Sequence, residues 1–467
     1  MKSPKKNLAI VLAAGRGTRM KSSLPKVLHP LAGRPMLAYP VRAALELGVA
    51  EVVVVVNPET AGEVEAALRL GFPDEPLTFR LQDEPKGTGH AVRAGLSGVL
   101  PGSLERVLIL SGDTPLLEAG HLEPLLRCEA SLAFLTFEIE SPRGYGRIFR
   151  DSAGRPRKIV EERDLKSDAE RSIREVNAGV YWARLDALGP ALERLTPEND
   201  QGEYYLTDIV GDIAQRGNVT TCSTEATFLR GVNNRAELTL VEELIFARVR
   251  ERWGERGVTI VGRPLIDDCV ELGLDARIED GVRLRGATKV GSGARIDVGS
   301  VIEDSRIGPS AEIKPYSVIF QSEVGERASI GPFAHLRPDS LIEAEAHIGN
   351  FVETKKTRVR RGAKANHLAY LGDGDIGERA NLGAGVIFCN YDGYTKQRTV
   401  IGEGAFIGSD SQLIAPVEVG KGAYVATGTT VTGNVPEGAL VIGRARAVIK
   451  EGYASELRER LKKKKKS

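Results

Sequence analysis

An aliphatic residue returns at every sixth position over most of the second half of the chain, residues 258–443, and small or turn-forming residues fill the gaps. One unbroken series runs through Ile401, Ile407, Leu413, Val419, Val425 and Val431. A period of six fits neither an amphipathic helix nor an alternating strand. It fits coils of three short strands, in which each strand supplies one inward aliphatic residue and small residues form the corners.

Coils of about eighteen residues would stack at roughly the 4.8 Å spacing of paired strands, so the sequence predicts a β-helix prism. The hexads, of the form I-G-x-x-[AS]-x, resemble those of hexapeptide-repeat acyltransferases. That resemblance implies a left-handed prism that trimerises and binds acyl donors between neighbouring prisms. The usual crossover rule favours the right hand, so the left hand rests on the resemblance alone. Bare hexads leave open a prism that only spaces or oligomerises.

The composition limits the remaining possibilities. At 467 residues the chain is long enough for two or three domains. Lys and Arg total 64 against 63 for Asp and Glu, which gives no reason to expect a nucleic-acid or membrane partner. The four cysteines, Cys128, Cys222, Cys269 and Cys389, are far apart in sequence and share no metal-ligand spacing, and no apolar stretch reaches membrane-spanning length. We therefore expect a soluble protein in a reducing cytoplasm.

The first half alternates short apolar runs with segments of helical periodicity. The apolar runs are residues 8–12, 51–56, 77–81 and 106–110, and the helical segments lie near residues 36–47, 61–70 and 90–100. This alternation predicts an open parallel α/β sheet with helices on both faces, which binds ligands at the carboxyl ends of its strands. Loops that carry Gly15, Gly87 and Asp113 follow three of these strands.

The loop after the first strand carries glycines and cations. Gly15 and Gly17 let backbone N–H groups approach phosphate oxygens, and Arg19 and Lys26 are suited to neutralising a triphosphate. The loop lacks the Lys-Ser/Thr ending of the P-loop and the third glycine of the dinucleotide fingerprint. Taken by itself, it is equally well explained as a tight turn with two solvated cations.

Further motifs make that loop more informative. Residues 12–20, LAAGRGTRM, followed by Lys26, closely resemble the signature of sugar-1-phosphate nucleotidyltransferases. The rest of the family pattern follows in order, as Gln82, GTGHA at 87–91, SGDTP at 111–115, GYGRI at 144–148, VE at 160–161, NAG at 177–179 and GVNN at 231–234. With the hexads behind them, these motifs resemble the bifunctional members of the family, which join a uridylyltransferase domain to an amino-sugar acetyltransferase domain.

The resemblance implies a Mg²⁺-dependent uridylyl transfer from UTP to N-acetylglucosamine 1-phosphate, with release of pyrophosphate. It implies Asp113 and Asn233 as Mg²⁺ ligands, although Asp113 could also cap a helix, and Arg19 and Lys26 as catalytic cations. The nucleotide and sugar residues that it implies are Leu12, Ala13, Ala14, Gly15, Gly17, Gln82, Gly87 and Thr88, then Gly146, Glu161, Asn177 and Tyr205.

Within the hexads the period fails at residues 367–375 and 389–398, where we expect loops to leave the prism. Histidine titrates near neutral pH and suits the base that an attacking amine requires. A lone histidine is usually structural, as His335 and His347 exemplify. KANHLAY at 364–370 matches the acetyltransferase motif and favours His367, but the sequence does not indicate what orients this histidine.

The resemblance implies acetyl transfer from acetyl-CoA to glucosamine 1-phosphate, before the uridylyl transfer. The implied glucosamine-phosphate residues are Arg337, Lys355, Tyr370, Asn381 and Lys396. The implied acetyl-CoA residues are Ala384, Asn390, Tyr391, Ser409, Thr427 and Arg444. Ser409 is the candidate donor to the tetrahedral oxyanion. Thr427 stands where alanine is common.

The predicted organisation is a nucleotidyltransferase domain at 1–234, a linker helix at 235–256, a left-handed β-helix at 257–450, and a C-terminal helix with a basic tail at 451–467. We expect a homotrimer. One rival is a single-activity nucleotidyltransferase with a structural prism, against which His367 and Lys355 argue. The other is a non-catalytic two-domain interaction protein, against which Lys26, Asp113 and Asn233 argue.

Overall fold

A computed structural model describes residues 7–15, 17–99 and 104–465. Arg16 of the glycine loop lies outside the described residues, as do residues 1–6 and 100–103 of the predicted first domain and residues 466–467 of the predicted tail. The chain divides into two compact units, Met1–Val249 and Arg250–Ser467. The division falls inside a helix, Arg235–Glu255, which covers most of the segment predicted as a linker.

The first unit contains strands β1 to β11 and helices α1 to α7. The strands are Asn7–Leu12, Pro30–Leu31, Arg34–Pro35, Glu51–Val56, Leu77–Leu81, Arg106–Ser111, Leu132–Glu138, Arg147–Arg150, Pro156–Val160, Glu175–Arg184 and Val219–Ser223. The helices are Ala38–Glu46, Ala61–Gly71, Thr88–Gly95, Ala119–Leu126, Asp168–Arg171, Leu185–Glu193 and Asp208–Ala214. Helix α8 is Arg235–Glu255, and α9 in the second unit is Tyr453–Lys464.

The main sheet of the first unit has the strand order β11-β7-β10-β6-β1-β4-β5. Strand β1 pairs in parallel with β4 and β6, as the sequence predicts, but β10 runs antiparallel to both β6 and β7. The four predicted strands are therefore parallel, as expected, and β10, which was not among the predicted strands, makes the sheet mixed. The connection before β10 contains the β8–β9 hairpin and one four-residue α-helix rather than the long crossover helix that usually links parallel neighbours, so β10 can enter the sheet in the opposite direction.

Alternate residues of the central strand feed two apolar cores, one on each face of this sheet. Ala9 and Val11 belong to one core, which also contains residues of α1, α2 and α4. Leu8 and Ile10 belong to the other, with residues of α3, α6 and α7. Because both faces are covered, β1 reads as a continuous apolar run rather than an alternating one.

The second unit is a β-helix of three parallel sheets, named here by the order in which the chain enters them. The first sheet contains Thr259–Ile260, Arg277–Ile278, Arg295–Ile296, Glu312–Ile313, Ser329–Ile330, His347–Asn350, Lys364–His367, Asn381–Leu382, Phe406–Ile407, Tyr424–Val425 and Leu440–Val441. The second contains Leu265–Ile266, Arg283–Arg285, Val301–Glu303, Val318–Phe320, His335–Leu336, Glu353–Lys355, Tyr370–Gly372, Ile387–Cys389, Gln412–Ile414 and Thr430–Val431. The third contains Glu271–Leu272, Lys289–Val290, Arg306–Ile307, Glu323–Val324, Leu341–Ile342, Arg358–Val359, Gly374–Ile376, Thr399–Ile401 and Val417–Val419.

The register between coils explains the slips in the hexad series. Ile278 pairs with Ile296, 18 positions on, whereas Ile296 pairs with Ile313, 17 positions on. A coil that is one residue shorter shifts the aliphatic series by one and still keeps its inward residue above the previous one. The ladders are therefore continuous although the sequence period is not.

The two predicted interruptions behave differently. Residues 390–398 leave the prism, whereas Cys389 still pairs with Ile414, and the register jumps by 25 positions between Leu382 and Ile407. Residues 367–375 remain in it, because Leu371 and Ile376 stay buried and pair with Thr354 and Val359. The prediction that this segment leaves the prism was wrong, since it belongs to a regular coil of 17 residues.

Helix α8 buries Val241, Ile245 and Val249, which are spaced four residues apart and so lie on one face of the helix. Arg248 donates from Nη1 to Glu118 Oε1 at 2.6 Å, so this part of α8 packs on the first unit. No helix among the described residues combines the length and apolarity that a membrane crossing requires.

The ladders generate a stability prediction. Leu371 is fully buried, and Leu371→Ala is expected to lower the free energy of unfolding by about 2–5 kcal/mol, because it leaves a cavity in a stacked core. Leu440→Ala is the matched control, since this leucine is 61% exposed in a strand of the same prism, and should change the free energy by about 0.5 kcal/mol or less. Urea unfolding followed by circular dichroism measures both. Equal losses would contradict the ladder assignment.

Candidate active sites

In the first unit a cavity of about 410 Å³ lies at the carboxyl ends of β1, β5 and β6. Its lining contains the predicted residues Leu12, Ala13, Ala14, Gly15, Lys26, Gln82, Gly87, Thr88 and Asp113. The Gln82 amide donates from Nε2 to the Gly87 carbonyl at 3.0 Å, which ties the end of β5 to the loop before α3. The cavity therefore occupies the sheet edge at which an α/β fold binds ligands.

Gly17 allows the loop to lie directly against Lys26. Its φ of 61° belongs to the left-handed region, and a Cβ at this position would lie 2.4 Å from Lys26 Cβ. A side chain at residue 17 would therefore be strained by the backbone and would also push Lys26 away. The sequence predicts a phosphate-binding role for this glycine, and the structure adds that it sets the position of the lysine.

Four predicted residues converge beside the cavity. The Lys26 ammonium donates to Asp113 Oδ2 at 2.5 Å and to Asn233 Oδ1 at 3.2 Å. Arg19 donates from Nη2 to the same Asn233 oxygen at 3.2 Å. Ser111 Oγ donates to the other Asp113 oxygen at 2.6 Å. Ser111 lies in the quoted SGDTP motif, but sequence reasoning did not assign it to the site.

Helix α8 fixes Asn233 in this group. The backbone N–H of Asn233 donates to Glu237 Oε2 at 2.7 Å, and that of Val232 donates to the Asp113 carbonyl at 2.9 Å. Residues 120 positions apart thus meet because the segment after β11 runs beside the loop after β6. Sequence reasoning missed Glu237, although its place in the first turn of a predicted helix was a usable signal.

The Asp113 and Asn233 side chains are suited to holding a magnesium ion. Both side chains present an oxygen to the same cation, the Lys26 ammonium. Oxygen is also the ligand atom that Mg²⁺ prefers. Within the described residues, His, Cys, Asp and Glu form no group of three or more that could hold a metal. A hard ion here would accordingly take its remaining ligands from water and phosphate, which is common for Mg²⁺.

The four predicted sugar residues form a second group. The Asn177 N–H donates to the Gly146 carbonyl at 2.9 Å, and its side-chain amide donates to the Tyr181 hydroxyl at 2.7 Å. Glu161 accepts a hydrogen bond of 3.1 Å from Thr207, two residues beyond Tyr205. Burial raises the pKa of the Glu161 carboxyl, and the nearby Asp208 adds to this effect.

In the second unit, several predicted residues lie above one another at one corner of the prism because successive coils stack in register. We call Asn350, His367, Ala384, Ser409 and Thr427 the His367 column. Asn350 pairs directly with His367, and His367 Nδ1 lies 2.7 Å from Asn350 Oδ1. Ala384, Ser409 and Thr427 occupy the same corner on the following coils. Backbone hydrogen bonds link these coils. The Gly385 N–H donates to the Leu368 carbonyl at 3.1 Å, and the Asp410 N–H donates to the Ala384 carbonyl at 2.7 Å. The Gly428 N–H donates to the Ser409 carbonyl at 2.8 Å. Arg444 donates to the Thr427 carbonyl.

The predicted glucosamine-phosphate residues are divided between two sheets of the prism. Asn381 lies on the first sheet with His367, whereas Lys355 and Tyr370 lie on the second and Arg337 directly follows a strand of that sheet. Arg337 donates from Nη1 to Glu353 Oε1 at 2.8 Å. The like-charged side chain of Lys396 lies in hydrogen-bonding range of Lys355 and lowers the pKa of Lys355.

The excursion at 390–398 carries the other predicted residues. Asn390 donates from Nδ2 to Asp373 Oδ2 at 2.5 Å, and Tyr391 pairs with Lys396 in an antiparallel bridge. Backbone N–H groups of Thr395 and Tyr394 hold the pKa of Asp392 at about 2, so this carboxylate stays charged and closes the turn. Asp373 is a partner that sequence reasoning missed.

An α/β nucleotide-binding unit followed by a hexapeptide prism defines a two-domain transferase. Residues 9–172 match the family "MobA-like NTP transferase domain", and residues 398–433 match "Bacterial transferase hexapeptide (six repeats)". The chain is 55% identical over 462 residues to the "Bifunctional protein GlmU" of Sorangium cellulosum (strain So ce56), which covers 97% of each chain. It is 52% identical over 455 residues to the protein of the same name from Anaeromyxobacter dehalogenans (strain 2CP-1), and this match covers 96% of this chain and 92% of the relative. It is 45% identical over 459 residues to the one from Trichlorobacter lovleyi, and that match covers 97% of this chain and 98% of the relative.

The chain belongs to the GlmU family of bifunctional proteins. The hexapeptide match and the three stacked parallel sheets together confirm the predicted left-handed β-helix. The family resemblance and the two-part fold that the sequence predicts are likewise confirmed.

The raised pKa of Glu161 predicts a pH-dependent stability. Because the folded state keeps this proton to higher pH than the unfolded state, ionisation favours unfolding once the pH passes the unfolded pKa of about 4.3. Glu161→Gln, which keeps an acceptor for Thr207, should therefore gain free energy of unfolding over the wild type as the pH rises towards neutral. Below about pH 4 both forms are uncharged and the gain should vanish.

Urea unfolding of both forms across this pH range measures the difference. Glu198→Gln, at an exposed position of the same unit, is the matched control. An equal gain in this control would contradict the explanation by burial.

Proposed function

We propose that the chain acetylates glucosamine 1-phosphate from acetyl-CoA and then transfers uridylyl from UTP to the product, making UDP-N-acetylglucosamine and pyrophosphate. This sugar nucleotide feeds bacterial cell-wall precursors. The main support is that Arg19, Lys26, Asp113 and Asn233, far apart in sequence, converge beside a cavity of suitable size. The cavity falls within the range of small-molecule sites.

In the uridylyl transfer, the phosphate of N-acetylglucosamine 1-phosphate attacks the α-phosphorus of UTP in line and expels pyrophosphate. The attacking oxygen is already ionised, so the reaction needs positioning and charge neutralisation rather than a general base. Arg19 and Lys26 supply positive charge to the transition state and the leaving group. Gln82, Gly87 and Thr88 hold the uracil.

Asp113 and Asn233 would hold Mg²⁺, which supplies Lewis-acid charge neutralisation to the phosphates. The Lys26 ammonium contacts both of these oxygens. Once another cation balances the carboxylate, this ammonium is available to a phosphate. Gly146, Glu161, Asn177 and Tyr205 bind the acetylated sugar.

In the acetyl transfer, His367 removes the proton that the glucosamine ammonium must lose, and the neutral amine attacks the thioester carbonyl. The tetrahedral oxyanion receives a hydrogen bond from Ser409, and the bond to sulfur then breaks to release coenzyme A. Ser409 and His367 belong to the same column, which supports their acting on one substrate. Ala384, Asn390, Tyr391, Thr427 and Arg444 bind acetyl-CoA.

The cations of the second unit are suited to a phosphate. Lys355 and Lys396 are neighbours of like charge, and a phosphate between them would relieve their repulsion. Arg337 adds a planar guanidinium that phosphate binds in a bidentate manner. Tyr370 and Asn381 complete the amino-sugar pocket.

We propose that the chain acts as a homotrimer in the cytoplasm, where UTP and acetyl-CoA are available, with no nucleic-acid or membrane partner. The division of the sugar-phosphate residues between two sheets supports a site that a neighbouring prism completes. A monomer would then acetylate poorly.

The uridylyl half predicts that Asp113→Asn lowers pyrophosphate release from UTP and N-acetylglucosamine 1-phosphate by about 100-fold or more, because a charged ligand to the metal and phosphates is lost. Removal of Mg²⁺ with a chelator should have a similar effect on the wild type. Asp74→Asn, an exposed aspartate of the same unit, is the matched control. Thiol release from acetyl-CoA should be unchanged in both variants. Retained uridylyl transfer in Asp113→Asn would contradict the assignment.

The acetyl half predicts that His367→Ala lowers thiol release from acetyl-CoA with glucosamine 1-phosphate by about 100-fold or more, since general-base catalysis contributes on that scale. His347→Ala is the matched control, because His347 is an exposed histidine on the neighbouring strand of the same sheet. Pyrophosphate release should persist in both variants. No thiol release from the wild type would leave a single-activity nucleotidyltransferase with a structural prism.

A further inference from the structure

Among the residues that the structure describes, His367 has one side-chain hydrogen-bond partner, and it comes from the preceding coil. Asn350 ends the strand His347–Asn350, His367 ends the strand Lys364–His367, and the two residues pair directly in the parallel ladder. The distance of 2.7 Å between Asn350 Oδ1 and His367 Nδ1 is that of a short hydrogen bond. The backbone pairing and the side-chain hydrogen bond thus join the same two residues.

The backbone fixes Asn350 beneath the histidine. At Gly349 the chain packs so closely on the next coil that a Cβ would lie 2.0 Å from the Asn366 carbonyl oxygen. The Leu368 N–H donates to the Asn350 carbonyl at 3.0 Å. The backbone of Asn350 is therefore held in place, within hydrogen-bonding reach of His367.

The atom that faces the imidazole determines which ring nitrogen can act. The amide oxygen of asparagine only accepts hydrogen bonds, so Nδ1 of His367 must carry the proton and donate it. In a neutral imidazole the other nitrogen, Nε2, then has the free lone pair. A base needs that lone pair directed at the substrate.

We propose that Asn350 is a positioning residue for the acetyl transfer, which holds the Nδ1–H of His367 so that Nε2 is the base. This inference rests on the proposed acetyltransferase function. Asn350 itself touches no reacting atom and acts only through His367. An uncharged partner orients the ring without the strong rise in basicity that a carboxylate would cause.

The column around His367 contributes no other titratable group. Its members on the neighbouring coils are Asn350 and Ala384, and those beyond are Ser409 and Thr427. The residues next to it in the chain, Asn366 and Leu368, are also uncharged. The other titratable side chains of these two strands, His347 and Lys364, lie three positions before Asn350 and His367, so a charge introduced at position 350 would be much closer to the imidazole than either of them.

Two substitutions test the proposal in the full-length protein, with thiol release from acetyl-CoA measured across a range of pH. Asn350→Leu removes the acceptor, and kcat should fall by about 10- to 100-fold while the KM for glucosamine 1-phosphate changes by about threefold or less. Asn350→Asp keeps the acceptor and adds a negative charge, so activity should be largely retained. The acidic limb of its kcat/KM profile should move to higher pH, because the carboxylate stabilises the imidazolium.

One control tests whether the Asn350 variants are intact, and a second tests whether the effect is specific to this asparagine. Pyrophosphate release by the first unit should match the wild type in both. Asn434→Leu removes an asparagine that accepts a backbone hydrogen bond of 2.9 Å from Glu418 elsewhere on the prism, and it should not change the pH profile.

The outcomes separate this inference from the function on which it rests. Thiol release by the wild type together with an unchanged Asn350→Leu variant would overturn the role of Asn350 alone. Equal loss in the Leu and Asp variants, with no shift of the acidic limb, would also overturn it, because a merely structural asparagine would give that result. No thiol release by the wild type would overturn both.

Discussion

The parallel stacking of one coil on the next is the constraint on which the second unit depends. Most coils add 17 or 18 residues, one adds 25 because of the excursion, and each returns the chain to the same corner. Residues distant in sequence therefore become vertical neighbours, and their spacing is set by backbone hydrogen bonds rather than by side-chain packing. Asn350, His367, Ala384, Ser409 and Thr427 share one corner for this reason. The prism thus holds the candidate site residues at fixed spacings, as the proposed acetyl transfer requires.

The first unit uses its sheet for the same purpose. The loops after β1 and β6 lie side by side because those strands pair in parallel, which brings Lys26 to Asp113. The remaining member, Asn233, comes from the segment after β11 and is fixed by Glu237 at the start of α8. A helix predicted as a spacer therefore also supports the site, through residues close to its N-terminus.

Sequence alone predicted the prism well, because a hexad period records the inward position of every strand directly. It failed at residues 367–375, where polar residues on the outer face hid the buried Leu371 and Ile376. It also missed β10, since strand direction is decided by the preceding connection and not by the strand's own residues. The candidate site residues were found through motifs, whereas their partners Glu237, Asp373 and Asn350 were not, because a hydrogen bond between coils or segments leaves no local pattern.

Each unit has a charged group whose surroundings disfavour its ionised form. In the second unit, Lys355 and Lys396 stand close together with like charge, and the pKa of Lys355 falls in consequence. In the first, Glu161 is buried near Asp208, and its pKa rises. Neither arrangement stabilises the unliganded chain, since a like-charged neighbour or a buried carboxylate disfavours the ionised form. In the proposed reactions, a phosphate between the lysines or a sugar hydroxyl that donates to Glu161 would favour the ionised form instead, so substrate would relieve what the unliganded chain leaves unbalanced.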